Sequence, residues 1–154
     1  VERSDTISLA ALTEEVFCDL DPVADKHQIR LIQTEGDCTV TGSYILLYRA
    51  VYNLVENAIK YNRPSGSVTV SIHSAESAVL EVTDTGIGIS PENQEKIFDP
   101  FYRVDKSRSR AMGGAGLGLA LVSEIARQHN GQVKVTQSSE KGSTIALMLP
   151  VTLL

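Results

Sequence analysis

Residues 44–61, with the sequence YILLYRAVYNLVENAIKY, carry the strongest structural signal in the chain. Their apolar residues recur at steps of three and four, which is the spacing of one face of an α-helix. These residues are Leu47, Val51, Leu54, Val55 and Ala58. Ser43 is suited to cap the start, and the segment NRPSG at 62–66 ends the helix because Pro and Gly together do not continue it. We therefore predict a long amphipathic helix here.

The sequence before this helix predicts another helix and two short strands. Ser8 can cap a helix whose apolar positions follow the same steps, and these positions are Leu9, Leu12, Val16, Leu20 and Val23. Residues 29–34 and 38–41 alternate enough to form two strands.

The sequence after the long helix predicts a hairpin, a third helix and two closing strands. Apolar and polar residues alternate through 68–72 and again through 80–82, on either side of a turn. Residues 117–126 predict a largely buried helix that stops before Gly131, followed by strands at 132–137 and 143–149. Runs of strands and helices without strict alternation predict an α+β two-layer sandwich, with residues 1–154 as a single domain.

Composition narrows the class of protein. The chain has 154 residues, 42% of them hydrophobic, and a formal net charge of −5, which disfavours a nucleic-acid partner. Cys18 and Cys38 stand apart without metal-ligand spacing, so we expect two buried or half-buried small side chains in a reducing compartment. No apolar run is long enough for a membrane span, and the start at Val1 suggests a soluble piece of a longer protein.

A long irregular segment gives the first indication of a functional site. Residues 84–115 are rich in Gly, Ser, Arg and Lys, with at most a short helix around 91–97. Connections longer than about 12 to 15 residues are uncommon and usually functional, so we predict a lid.

Four polar residues of the long helix fall along one stripe. They are Asn53, Asn57, Lys60 and Tyr61, at positions i, i+4, i+7 and i+8. An Asn oxygen suits Mg²⁺ and a Lys ammonium suits phosphate. A solvated helix edge would account for the stripe equally well, and the stripe alone favours that simpler interpretation.

Two glycine-bearing motifs flank the predicted lid. Residues 84–89, DTGIGI, follow an apolar strand, so the Asp84 carboxylate can accept a hydrogen bond from an amine while glycines allow close approach of a flat ring. Residues 113–119, GGAGLGL, enter the third helix, where backbone N–H groups form an anion site. A simple turn and a flexible hinge are the respective alternatives.

The lid also contains an aromatic anchor and concentrated positive charge. Residues 98–103 read FDPFYR, and Arg103, Lys106, Arg108 and Arg110 form the one basic cluster in the sequence. These cations could meet phosphate oxygens or form a solvated charged loop.

Four segments, taken in order, resemble the N, G1, F and G2 boxes of sensor histidine kinases. These segments are NLVENAIKYN at 53–62, DTGIGI at 84–89, FDPFYR at 98–103 and GAGLGLA at 114–120. The resemblance implies the GHKL ATPase fold, in which a mixed, mostly antiparallel sheet of about five strands packs on three helices and a long lid covers ATP. Members of that family often have Asp where this chain has Ser43, a difference at the helix cap.

The resemblance also implies a role for each matching residue. Asn57 is similar to the Mg²⁺ ligand, Asn53 to its polar neighbour at the phosphates, and Lys60 and Tyr61 to the phosphate-side and ribose-side contacts. Asp84 resembles the adenine-reading carboxylate, with Gly86, Gly88 and Ile89 beside the base. Arg103 resembles the lid cation. The backbone cradle corresponds to Gly114, Gly116, Leu117 and Gly118.

By this resemblance the domain transfers the γ-phosphate of Mg·ATP, with Asn53, Lys60 and Arg103 as its catalytic groups. Gyrase-like relatives carry Glu at the first N-box position, where it activates water by taking a proton from it. The neutral amide of Asn53 cannot take a proton, so we expect slow hydrolysis. The acceptor histidine would lie on a missing dimerisation domain, because His27, His73 and His129 lack the acceptor motif and are expected to be structural or solvent-facing.

The same resemblance implies the setting of the parent protein. We expect a homodimeric, membrane-anchored kinase whose catalytic domain is cytoplasmic, makes no direct membrane contact and passes phosphate on to a response regulator. Two alternatives stay open, a nucleotide-binding regulatory module without transfer and an anti-sigma-type Ser/Thr kinase of the same superfamily. A purely structural module would leave the glycine motifs without a purpose.

Overall fold

The structure is a computed structural model that describes residues 5–100 and 118–152. Its strands are β1 (Asp5–Ser8), β2 (Arg30–Gln33), β3 (Thr39–Gly42), β4 (Ser67–Ser74), β5 (Ala78–Asp84), β6 (Gln132–Ser139) and β7 (Gly142–Leu149). Its α-helices are α1 (Leu9–Lys26), α2 (Tyr44–Lys60) and α3 (Gly118–Gln128), and two short 3₁₀ turns, Pro91–Asn93 and Lys96–Phe98, follow β5. The predictions for Arg103, Gly114, Gly116 and Leu117 lie outside these residues.

The main sheet has five strands in the order β2-β4-β5-β7-β6. β2 and β4 are parallel, whereas the other three neighbouring pairs are antiparallel. This arrangement confirms the predicted mixed, mostly antiparallel sheet. β1 was not predicted; it pairs with β3 in a separate two-stranded sheet, from Asp5 opposite Gly42 to Ser8 opposite Thr39. A four-residue strand is too short to show a period, and tertiary pairing determines it.

The core lies between the helices and the main sheet. All five predicted apolar residues of α2 are buried, and Val68, Val70 and Ile72 alternate inward from β4. Full burial of one such side chain contributes about 1.5–3 kcal/mol relative to exposure. The predicted caps are present as well, since the Ser8 hydroxyl accepts from Ala11 N–H and the Ser43 hydroxyl accepts from Leu46 N–H.

One prediction about the cysteines is wrong. Cys38 is buried, but Cys18 is exposed, because it falls between the buried positions Val16 and Leu20 on the opposite side of α1. Within residues 5–100 and 118–152, no helix combines the length and the apolar character that crossing a membrane requires.

Candidate functional site

The carboxylate of Asp84 lies at the end of β5, where two protein groups hold it. Its Oδ1 accepts a hydrogen bond from Gly86 N–H at 2.8 Å, and its Oδ2 accepts one from the Ser143 hydroxyl at 2.9 Å. Burial raises the pKa of Asp84 above its usual value, while the bonds from Gly86 and Ser143 act in the opposite direction. Each carboxylate oxygen has a second acceptor position, so the group can still receive a hydrogen bond from a ligand amine.

Ser143 received no role from sequence reasoning. It is the residue of β7 directly opposite Asp84 in the antiparallel ladder, so the register of two strands distant in sequence brings the hydroxyl to the carboxylate. The preceding residue, Gly142, has φ +138°, and a Cβ there would come within 1.9 Å of the Asp84 carbonyl oxygen. A larger residue at 142 would therefore push β7 away from the carboxylate.

Gly86 brings the turn after β5 onto the end of α2. A Cβ at this position would lie 2.5 Å from the carbonyl oxygen of Tyr61 and 3.1 Å from Asp84 Oδ1. The first distance is too short for any side chain, so the close approach requires glycine. The structure therefore brings the predicted residues Asp84, Gly86 and Tyr61 together.

A buried asparagine links the same turn to α2. The Asn62 side chain, 8% exposed, donates from Nδ2 to Ser67 O at 2.8 Å and accepts at Oδ1 from the Thr85 hydroxyl and from Arg63 N–H. Thr85 in turn accepts from Ser67 N–H at 2.9 Å. The motif NLVENAIKYN includes Asn62, but a sequence pattern could not show that it joins the end of α2 to β4 and to the turn after β5.

Gly88 and Ile89 continue this turn along β6. Gly88 has φ +78°, and a Cβ there would fall 2.0 Å from Ser139 O, so both the backbone conformation and the space require glycine. Ile89 N–H donates to the Ser138 hydroxyl at 2.6 Å, and the Ile89 side chain packs against the core. The start of the predicted lid is therefore anchored to the sheet.

The polar stripe on α2 leads from this turn towards the start of α3. Asn53, Asn57, Lys60 and Tyr61 are all half-buried. In the described part of the chain, the side-chain amides of Asn53 and Asn57 have no hydrogen-bond partner. A Cβ at Gly118 would lie 3.8 Å from Asn53 Cγ, which places the first residue of α3 beside the Asn53 amide.

An ion pair lies at the C-terminal end of the polar stripe. Lys60 Nζ lies 3.8 Å from Glu56 Oε2, an ion pair one helical turn apart in which both side chains are partly exposed. Tyr61 caps α2, and its N–H donates to Asn57 O at 3.1 Å. An exposed pair of this kind contributes at most about 1 kcal/mol, so Lys60 can exchange its partner for a stronger anion.

These residues make two unlike ends along one helix. At the Tyr61 end lie the half-buried carboxylate of Asp84 and two glycine-dependent close approaches, which suit a flat ring that carries an amine. About 12 Å away along α2, at the Asn53 end, lie neutral amides and the N-terminus of α3, which suit an anionic chain.

The chain resembles proteins of known class in both sequence and structure. A family model described as "Histidine kinase-, DNA gyrase B-, and HSP90-like ATPase" matches residues 42–153. The sensor histidine kinase RppB of Synechocystis sp. is 44% identical over 141 residues, which cover 91% of this chain and 31% of RppB. The chain thus spans about a third of the length of this curated relative.

Solved structures show the same fold. The mycobacterial sensor histidine kinase MprB superposes with a TM-score of 0.81 at 28% identity, over 97% of this chain and 99% of the MprB chain. Full-length ShkA in complex with AMPPNP superposes with a TM-score of 0.86 at 24% identity, over 100% of this chain and 32% of ShkA.

Proposed function

The chain belongs to the family of histidine kinase-, DNA gyrase B- and HSP90-like ATPases, and from this premise we propose that it binds Mg·ATP and donates the γ-phosphate to a histidine of another domain. This is the activity of a protein-histidine kinase, in which the chain supplies the catalytic and ATP-binding domain.

The observation that carries the proposal is the position of Asp84 relative to α2. Its half-buried carboxylate stands beside Gly86, which packs on the Tyr61 carbonyl, and the same helix extends Asn57 and Asn53 towards Gly118. A carboxylate can accept from the N6 amine of adenine, which guanine replaces with an acceptor oxygen. The arrangement therefore selects adenine at one end and holds phosphates at the other.

The chemistry of Asn57 would suit a hydrated magnesium ion. Mg²⁺ prefers oxygen ligands and keeps several waters, and Asn57 offers an amide oxygen with no protein partner in the described residues. When bound, the ion neutralises charge on the phosphate oxygens. Tyr61 would contact the ribose, with Gly86, Gly88 and Ile89 beside the base.

We assign the remaining roles in the phosphoryl transfer as follows. Asn53 and Lys60 orient the phosphate chain, and Arg103 adds a positive charge from the lid. The N–H groups of Gly114, Gly116, Leu117 and Gly118 cradle the phosphates. No described side chain in this stripe acts as a base towards water, because Asn53 is neutral; positioning and charge compensation supply the catalysis.

Other domains complete the reaction in our proposal. The acceptor histidine lies on a dimerisation domain of the parent protein, which forms a homodimer and passes the phosphate to a response regulator. ShkA was solved with AMPPNP, a nucleotide that matches the ligand proposed here. We place this domain on the cytoplasmic side of a membrane-anchored parent.

Phosphate transfer to a separate acceptor domain tests the function. The chain is mixed with the parent's dimerisation domain and radiolabelled ATP, and the control is the same domain with its acceptor histidine replaced by Gln. We expect an acid-labile phosphate on the unaltered domain alone. ATP binding without transfer would indicate a regulatory module instead, and an acid-stable product would indicate a Ser/Thr kinase.

A further inference from the structure

His129 follows α3 and is buried, with 3% of its surface exposed. Its Nδ1 lies 2.8 Å from the carbonyl oxygen of Ile125, and its Nε2 lies 3.1 Å from the backbone nitrogen of Ser43. A carbonyl oxygen can only accept, so Nδ1 carries the proton; a backbone N–H can only donate, so Nε2 is the bare acceptor. The contacts therefore define a neutral ring in the Nδ1–H tautomer.

The contact with Ser43 completes the cap of α2 from a different helix. Ser43 is the N-cap, and its hydroxyl accepts from Leu46 N–H. In a capping box the third helical residue is Glu or Gln and accepts from the N–H of the N-cap residue. Here that position is Leu46, which packs against the core, and His129 provides the missing acceptor.

The two contacts lie at opposite ends of α3, which runs antiparallel to the first half of α2. At one end His129, just beyond α3, holds Ser43 at the start of α2; at the other, Gly118 at the start of α3 faces Asn53. The spacing is about ten residues on each helix, or roughly 15 Å. The ring is also enclosed by β3, because a Cβ at Gly42 would lie 2.4 Å from His129 Cδ2.

We propose that His129 is a positioning residue, a tautomer-specific clamp that fixes α3 against α2 and so sets the distance between Gly118 and Asn53. The inference rests on the proposed nucleotide site, since Gly118 and Asn53 form its phosphate end. His129 touches no nucleotide; it acts through the two helices that do. Loss of the Ser43 contact lets α3 shift relative to the asparagine stripe, which weakens phosphate binding.

Nitrogen NMR of the unaltered chain tests the clamp without a substitution. The chain has three histidines, so each ring can be assigned. We expect His129 to show the Nδ1–H tautomer and the Ser43 amide to exchange slowly with solvent. An Nε2–H tautomer at His129, or a rapidly exchanging Ser43 amide, would overturn the proposal whether or not the chain binds ATP.

Two substitutions separate positioning from simple packing. In His129→Gln the amide reaches the place of Nε2 and can still accept from Ser43 N–H, whereas in His129→Asn it reaches only the place of Nδ1. We expect the dissociation constant for Mg·ATP to stay within about twofold for Gln and to rise roughly tenfold for Asn. His73→Asn, on a side chain that is 52% exposed, is the matched control and should bind as the unaltered chain does.

Both variants are measured well below their unfolding midpoints, so lost stability does not lower the bound fraction. If the His129→Asn and His129→Gln variants bound Mg·ATP with the same affinity, whether unchanged or reduced, the proposed clamp would be overturned. Failure of the unaltered chain to bind Mg·ATP would instead reject the proposed function, and the NMR result would still decide the role of His129.

Discussion

At the scale of single residues, the charge of Asp84 affects both the stability of the fold and the proposed binding of a ligand. Burial raises the pKa of Asp84, so its ionised form at neutral pH is less favourable in the fold than in the unfolded chain. The folded state binds the proton more tightly, and its stability therefore falls as pH rises from the ordinary Asp range through the raised pKa. This cost of burial supports our proposal that the Asp84 carboxylate binds a ligand amine.

Asp37 shows the opposite behaviour. Burial alone would raise the pKa of its carboxyl, but hydrogen bonds from Ala10 N–H, the Ser8 hydroxyl and Cys38 N–H outweigh burial and lower it. The stability that Asp37 contributes is present above the ordinary Asp range and is lost as pH falls through the lowered pKa. This carboxylate accepts hydrogen bonds at the start of α1 and is not part of the proposed nucleotide site.

The substitution Asp84→Asn should separate binding from stability. The Asn amide can accept from Gly86 N–H and donate to the Ser143 oxygen, so thermal unfolding should occur at the same temperature or higher. One former acceptor becomes an amino group, and we expect affinity for Mg·ATP to fall roughly tenfold or more. Calorimetric titration and thermal unfolding measure the two effects.

The matched control for this substitution is Asp37→Asn. It should lower the unfolding temperature and leave affinity for Mg·ATP unchanged. If Asp84→Asn kept full affinity, or if the two variants behaved alike, the assignment of Asp84 to the adenine amine would be wrong.

At the scale of the elements, α2 is the part of the fold that organises the site. Its start is capped by Ser43 and held by His129, and its end is joined by Asn62 to β4 and to the turn after β5. Gly86 closes the same end by packing on the Tyr61 carbonyl. Fixing both ends keeps the stripe from Asn53 to Tyr61 in one orientation.

Gly86→Ala should damage this arrangement through the backbone. The added methyl group would lie 2.5 Å from Tyr61 O, so the turn must move away from α2. We expect a loss of about 1–3 kcal/mol in the free energy of unfolding, together with weaker nucleotide binding. Urea unfolding measures the loss, and Glu76→Ala on the exposed β4–β5 turn is the control. Equal stability of the two variants would show that the fold does not need the close approach of Gly86 to Tyr61.

At the scale of the whole molecule, the sequence predicted what depends on local periodicity. The apolar faces of α1 and α2, the alternation of β4 and the caps at Ser8 and Ser43 are each determined within one segment, and all are confirmed. The Asp84 turn was also recognised, because glycine motifs beside a strand end are visible in the sequence.

Features that depend on distant segments were not predicted. β1 exists because β3 pairs with it, Ser143 meets Asp84 through the register of β5 and β7, and His129 reaches Ser43 across two helices. Each depends on tertiary packing, which a single-segment pattern does not contain. The exposure of Cys18 differs, because the helical period of α1 itself places this side chain opposite Val16 and Leu20.

Calorimetric titration of the chain with ATP, with and without Mg²⁺, tests the central claim most directly. We expect a dissociation constant below the millimolar range with Mg²⁺, a clear loss of affinity when the metal is chelated or in Asn57→Ala, and much weaker binding of GTP. No binding of ATP at millimolar concentration, or an affinity that is indifferent to both the metal and Asn57, would contradict the account.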